Sequence, residues 1–398
     1  MGVDAMNGNT VYWVWLSMAL GAATRIDEIF GCFSSPREIY ESDRTAKIIS
    51  GVLTKRQIER LEATPIKNAY AAIDICNKNG WKIYTSEDEE YPDMLRSLVD
   101  RPLVLYVDGD ISYINSSVTI GVVGTRKPSY ESVKIAHKMS EGICAMNAVV
   151  VSGGALGIDS AAHEGALQAG GKTVCVMGCG LGCGYLKENE NLRRRISKSG
   201  ALVTEYPPLS GVTRSSFPER NRIISGMSMG VLVVEAGERS GSLITARNAN
   251  EQGRDVFAIP GSILSSSYTG ANRLIRDGAK IVTCAHDILY EYSVLYSERL
   301  NLDAQIPELI TKDSSDDEKP IQADAKEETS VVKIKKEPSS ELDPDSAAVY
   351  ALFGNEPVHS DEICAMTGIP APRVLSALML LEMEGLVEAT EGKCYQIV

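Results

Sequence analysis

A chain of 398 residues has room for two or three domains with sizeable cores. Hydrophobic residues at 44% and charged residues at 23% describe an ordinary soluble globular protein, and a formal charge of −13 argues against an evenly basic surface that would coat nucleic acid. The acidity is uneven, however: residues 115–290 hold 19 Lys plus Arg against 14 Asp plus Glu, a local charge of +5.

Nine cysteines, an odd number, argue against a disulfide framework and fit a reducing cytoplasm. Cys175, Cys179 and Cys183 lack a nearby His and have poor zinc spacing, so they are read as structural thiols. The apolar run from Val11 to Ala23 is too short to span a bilayer, and the ten residues before it hold Asp4 and no Lys or Arg. No export signal or anchor is expected.

From Tyr12 to about Asn79, glycines and the Ser-Pro and Thr-Pro pairs divide a helical pattern into short helices at Tyr12–Leu20, Arg25–Cys32, Pro36–Glu41 and Lys55–Glu62. Small units of this kind either grip DNA backbone in helix-hairpin-helix form or serve as packing modules; the mixed charges here favour packing. Trp81–Tyr84 and Leu103–Val107 have strand character and should extend the sheet that follows. Seven apolar strands then alternate with helical stretches, at Val118–Val123, Ala148–Val151, Thr173–Met177, Ala201–Thr204, Gly230–Val234, Asp255–Ile259 and Lys280–Val282. This is the spacing of βαβ units in a doubly wound, mostly parallel sheet.

Residues 296–343 are rich in Asp, Glu, Lys, Ser and Pro, and are expected to be a disordered linker. Order should resume at residue 344, with helical periodicity at Ala347–Phe353, Ser360–Thr367 and Ala371–Glu384. Leu386-Val387-Glu388 and Tyr395-Gln396-Ile397 can pair as a hairpin, which together with three helices makes a winged helix. Residues 343–398 carry two basic and nine acidic residues, so a protein-docking role is expected for this part rather than DNA binding.

Three chemistries are candidates for the central sheet. Dinucleotide redox fails, because a GxGxxG frame starting at Gly178 meets Cys183 where the last glycine is required. Nucleotide hydrolysis, as in phosphoribohydrolases, stays open, although Ser240-Gly241-Ser242-Leu243-Ile244-Thr245-Ala246-Arg247 lacks the glutamate that follows their glycine-rich loop. His163 is read as a satisfied helix-face histidine rather than a base. The third chemistry is binding without catalysis. Arg126, the Ser152-Gly153-Gly154-Ala155 loop, Lys172, Asn221-Arg222 and Ser240-Gly241-Ser242 fall near strand ends, where arginine forks and glycine backbone accept phosphate. Several such positions along one rim suit a polyanion.

The motifs then point to a family. Gly124-Thr125-Arg126, Gly154-Ala155-Leu156-Gly157-Ile158-Asp159-Ser160-Ala161-Ala162-His163, Phe217-Pro218-Glu219-Arg220-Asn221-Arg222, Val233-Val234-Glu235-Ala236 and Ser240-Gly241-Ser242-Leu243-Ile244-Thr245-Ala246 stand in the order of the DprA (Smf) family, which the chain closely resembles from about Tyr91 to Asp287.

The resemblance implies an N-terminal SAM-like helical domain (residues 1–80), an extended Rossmann-like domain (81–295) and a C-terminal winged helix (344–398). It also implies a cytoplasmic homodimer formed through the Rossmann domain, which binds and protects single-stranded DNA without ATP or another cofactor and loads RecA onto it, with no enzymatic step. Family DNA contacts map onto Gly124, Thr125, Arg126, Ser152, Gly153, Gly154, Ala155 and Lys172, with Asn221, Arg222, Ser240, Gly241 and Ser242 as further rim positions. Thr125 replaces the family's usual Ser and Leu186 its usual Pro, so Tyr185 and Asn189 are left outside this set.

Overall fold

Buried strands need apolar residues on both faces, and the central strands have them. The computed structural model describes residues 3–185, 187–305, 342–353, 358–390 and 394–397. In it, β1 (Lys82–Thr85), β2 (Val104–Gly109), β3 (Thr119–Val123), β4 (Val149–Ser152), β5 (Thr173–Val176), β6 (Ala201–Thr204), β7 (Gly230–Val233), β8 (Asp255–Ala258) and β9 (Lys280–Ile281) form one sheet. The order is β1-β2-β6-β5-β4-β3-β7-β8-β9, parallel from β6 to β9 and antiparallel where β2 meets β6 and β1. The seven expected strands are present, and the two earlier ones extend the sheet as expected.

Alternation along each strand feeds two cores. Val123, Val149, Val151, Val174 and Val231 pack on one face, while Ile120, Val122, Val150 and Leu232 pack on the other. Helices Tyr130–Ala145 and Ile158–Gln168 cross on the second face so closely that a Cβ at Gly165 would lie 2.1 Å from the His137 carbonyl oxygen. Only glycine fits that crossing.

The N-terminal helices are set by local caps: Ser35 accepts from the Glu38 N–H, and Thr54 and Gln57 form a reciprocal capping box. Their core of Trp13, Trp15, Leu16, Ile26 and Ile39 is completed by Val104 and Tyr106 of β2 and by Leu103 just before it. A boundary at residue 80 therefore divides one apolar cluster, and residues Met1–Lys312 form one compact unit. The expected linker also starts too early. Tyr296, Leu300, Leu302 and Ala304 pack on the sheet, and the Asn301 N–H donates to the Met146 carbonyl at 3.1 Å. Residues 306–341, the rest of that linker apart from its last two residues, lie outside the described residues.

The second unit, Asp313–Val398, holds helices Pro344–Leu352, Ser360–Thr367 and Ala371–Met383. Strands β10 (Val358–His359), β11 (Val387–Thr390) and β12 (Cys394–Ile397) join in the order β10-β12-β11. The expected hairpin has Val387 opposite Ile397 and Glu388 opposite Gln396. Among the described residues, no helix is long and apolar enough to cross a membrane.

Candidate nucleic-acid interface

Strand β3 pairs with β4 on one side and β7 on the other, so the loops leaving β3 and β7 diverge and open a crevice at the carboxyl edge. A cavity of about 340 Å³ occupies it, lined by Gly124, Thr125, Arg126, Ala155, Phe217, Arg220, Asn221 and Ser240 to Ser242 among others. Helices Ile158–Gln168, Ser216–Gly226 and Ser242–Glu251 all begin beside this cavity, and their N-cap residues Gly157, Ser215 and Gly241 make no side-chain cap, although the Ser216 N–H donates to Thr213 Oγ1 at 3.1 Å. The positive dipole ends of the three helices therefore favour an anion there.

Two buried ionisable side chains, Arg220 and Asp159, form the floor. Arg220, 3% exposed, donates to the Gly153 carbonyl at 2.6 Å and to the Val176 carbonyl, which fixes the glycine loop against β5. Burial pushes the Asp159 carboxyl up from its ordinary value, against the opposing field of Arg220. The Ala155 N–H donates to Asp159 at 3.3 Å. A Cβ at Gly153 would lie 2.6 Å from the Arg220 guanidinium, so the residue there must be glycine for the arginine to stay.

The Arg126 loop is held from two sides. The Thr125 N–H donates to the Glu235 carbonyl at 2.8 Å, and the Ser129 N–H to the Glu235 carboxylate at 2.9 Å. Against the opposing effect of burial, hydrogen bonds from Ser132, Ser129 and Ser267 keep that carboxylate below its ordinary pKa. Gly157 takes φ +86°, and a Cβ there would meet the Thr125 carbonyl oxygen at 2.6 Å. Thus pinned, Arg126 stands exposed with its guanidinium 4.8 Å above the Phe217 ring, and Tyr185 packs on that ring at 5.4 Å.

Other cations share this edge. Lys127 follows β3, Lys187 and Arg193 follow β5, Arg214 follows β6 and Arg239 follows β7. Among the described residues, neither these five nor Arg126 forms an ion pair, whereas the neighbouring Arg194 and Arg195 are taken up by Glu190 and Glu164.

Comparison with known proteins gives this edge its context. A family model described as DNA recombination-mediator protein A matches residues 82–293, more than half of the chain, and a DprA winged helix domain model matches residues 333–393. The chain belongs to the DprA/Smf family of DNA-processing proteins. DNA processing protein DprA of Bacillus subtilis is 36% identical over 270 residues, covering 65% of this chain and 91% of its own. Protein Smf of Escherichia coli is 33% identical over 341 residues, 85% of this chain and 84% of its own. The crystal structure of Streptococcus pneumoniae DprA superposes with a TM-score of 0.61 at 35% identity, over 71% of this chain and 98% of that one.

In this DprA-family chain, the residues expected from sequence divide into two groups. Gly124, Thr125, Arg126, Ala155, Asn221, Ser240, Gly241 and Ser242 line the one cavity, and Gly153 and Gly154 line its neighbour. Three expectations need correction. Lys172 precedes β5 and so lies at the amino edge of the parallel strands, opposite the crevice, with its Nζ 3.9 Å from the Tyr113 ring. Arg222, 5% exposed, points away from the rim into an ion pair with Glu205 and a longer one with Asp100. Ser152 is fully buried and spends its hydroxyl on the Val122 carbonyl at 2.6 Å.

Sequence reasoning passed over Arg220, Asp159, Phe217, Lys187 and Arg193. Arg220 sits in the quoted Phe-Pro-Glu-Arg-Asn-Arg run, two residues from Arg222; on a helix that spacing turns the two side chains to different faces. Tyr185 and Asn189, set aside for lack of the family proline, are also brought in. Asn189 donates to the Gly154 carbonyl at 3.1 Å and to Ser160 at 2.8 Å, tying the loop after β5 to the glycine loop.

His163 is a core residue, fully buried, with its Nδ1 2.8 Å from Thr173 Oγ1. Burial, then the field of Arg220, pushes the imidazole down from 6.5 to about 3. The unfolded chain accepts a proton near pH 6.5 that folded His163 refuses. Stability from the neutral ring is therefore complete above that pH and is lost as pH falls, at about 1.4 kcal/mol per pH unit. Thermal unfolding of His163→Asn between pH 7 and 4.5 should show an acid slope shallower by that amount; equal slopes would contradict a buried neutral imidazole.

Proposed function

We propose that this chain binds single-stranded DNA along the carboxyl edge of its sheet. Phosphates are held by Arg126, the glycine loop, the helix ends and the neighbouring cations, and the bases are left unread. The observation that carries this reading is the set of cations without ion pairs beside the Arg126–Phe217–Tyr185 row. A charged track with adjacent aromatic faces suits a flexible strand whose bases are free to stack, whereas duplex bases are already stacked on one another.

The reading extends to cytoplasmic delivery of the strand to RecA for recombination, including natural transformation, by a homodimer using no cofactor and breaking no bond. The family description as a recombination mediator supports this extension. Among the described strands β9 is an outermost one, and its exposed Ile281 supports pairing of two copies through this unit.

The test is a titration of labelled oligothymidine and of duplex at two salt concentrations. Single-strand binding should weaken with salt at a log–log slope of about −3 if four phosphates are neutralised. Duplex bound as tightly as single strand, or release of free base from nucleoside monophosphates, would overturn the reading.

A further inference from the structure

The helix before a β-wing is the one that enters DNA in many winged-helix proteins, and here it is built for a different partner. Helix Ala371–Met383 buries Val374, Ala377, Leu378 and Leu381 in the core of its unit. Its outer side shows Leu375 at 51%, Met379 at 65% and Leu380 at 50% exposure, and Met366 at 60% lies on the preceding helix. Pro372, Leu375 and Met379 repeat at i, i+3 and i+7, one stripe on one face. An apolar row of this kind on a charged domain marks a contact surface, and Met and Leu adapt to helical partners.

The charges of this unit select the partner. Arg373, the cation on this helix, is held by Asp345 through two bonds of 2.6 Å, Nε to Oδ2 and Nη2 to Oδ1. The exposed residues Glu362, Glu382 and Glu388 are acidic. Phosphate is therefore repelled, while a row of lysines or arginines flanking an apolar stripe is attracted.

We propose that the face formed by Pro372, Leu375 and Met379 docks a basic amphipathic helix of a protein partner. The spacing of the row matches one side of an α-helix, and the acidic charge of the unit, nine acidic against two basic residues over 343–398, supplies encounter rate. This proposal stands apart from the DNA reading of the other unit and survives its failure.

The probe is a fluorescent leucine/lysine peptide of about 18 residues, roughly five helical turns, titrated against the full chain. It should bind, while a scrambled peptide of the same composition and one with glutamate in place of lysine should not. Leu375→Glu with Met379→Glu should weaken binding by about tenfold or more, as expected for losing two apolar anchors. Both positions are exposed, so thermal unfolding should be unchanged; if it shifts, Leu375→Gln with Met379→Gln replaces the pair. Equal affinity in the substituted chain, equal binding of the scrambled peptide, or duplex DNA binding that depends on these two residues would overturn the proposal.

Discussion

Arg126→Glu weakens single-stranded DNA binding by about tenfold or more at moderate salt and flattens the salt dependence by roughly one phosphate contact. Unfolding temperature stays near the wild-type value, because Arg126 is exposed, forms no ion pair among the described residues and lies with its guanidinium over the Phe217 ring. The informative companion is Lys172→Glu. Lysine at the start of β5 faces Tyr113 on the opposite edge of the sheet, and a four-residue strand separates it from the crevice by about 13 Å. Its reversal should leave affinity within about twofold, since a surface charge beyond the Debye length is largely screened. Fluorescence anisotropy on both variants checks the pair of outcomes. Wild-type affinity in Arg126→Glu removes the crevice from the DNA path; a large loss in Lys172→Glu moves the path to the other edge.

Arg222→Ala has its effect on folding. The guanidinium faces the Glu205 carboxylate, and both are nearly fully buried. Burial pushes Glu205 up to about 7, and Arg222 is the main opposing influence. Removing it strands a carboxylate among Tyr91, Tyr206 and the helix Ser216–Gly226, at a cost of about 3–5 kcal/mol. A folded-state pKa above the ordinary 4.5 makes Glu205's contribution greatest at low pH and progressively lost as pH rises through neutrality. The variant should therefore be least stable, relative to wild type, at alkaline pH. Adding Glu205→Leu should recover much of the loss, because the pair is then replaced by apolar contact. Scanning calorimetry across pH with the single and double variants is the measurement, and an unchanged melting curve for Arg222→Ala contradicts a structural role. DNA affinity per folded molecule should stay near wild type.

What can be read in the sequence follows from local rules. Strands buried on both faces require unbroken Val and Ile runs, so the central strands, their parallel direction and the crevice position are legible from β3, β4 and β7 alone. Caps and proline breaks likewise mark the helices, and the Arg126 motif can be placed at a strand end without coordinates. The charge of the winged-helix unit follows from counting.

Other properties depend on which groups meet across long separations, and no local pattern encodes that. The direction of each side chain on helix Ser216–Gly226 was decided by packing: Arg220 turned toward the Gly153 carbonyl and Arg222 toward Glu205, although both are basic residues in one short run. Lys172 was placed by strand polarity, since a residue before a parallel strand and one after it end on opposite edges. The N-terminal helices share a core with β2 because their first helix is apolar all round, with Val11, Trp13, Val14, Trp15 and Leu16 all buried, and Val104 and Tyr106 cover part of it. Sequence thus determined the layers and the crevice, and tertiary contact decided which cations face solvent there and which are spent holding the protein together. A buried charge must find its partner wherever the fold brings one, while an exposed charge needs none.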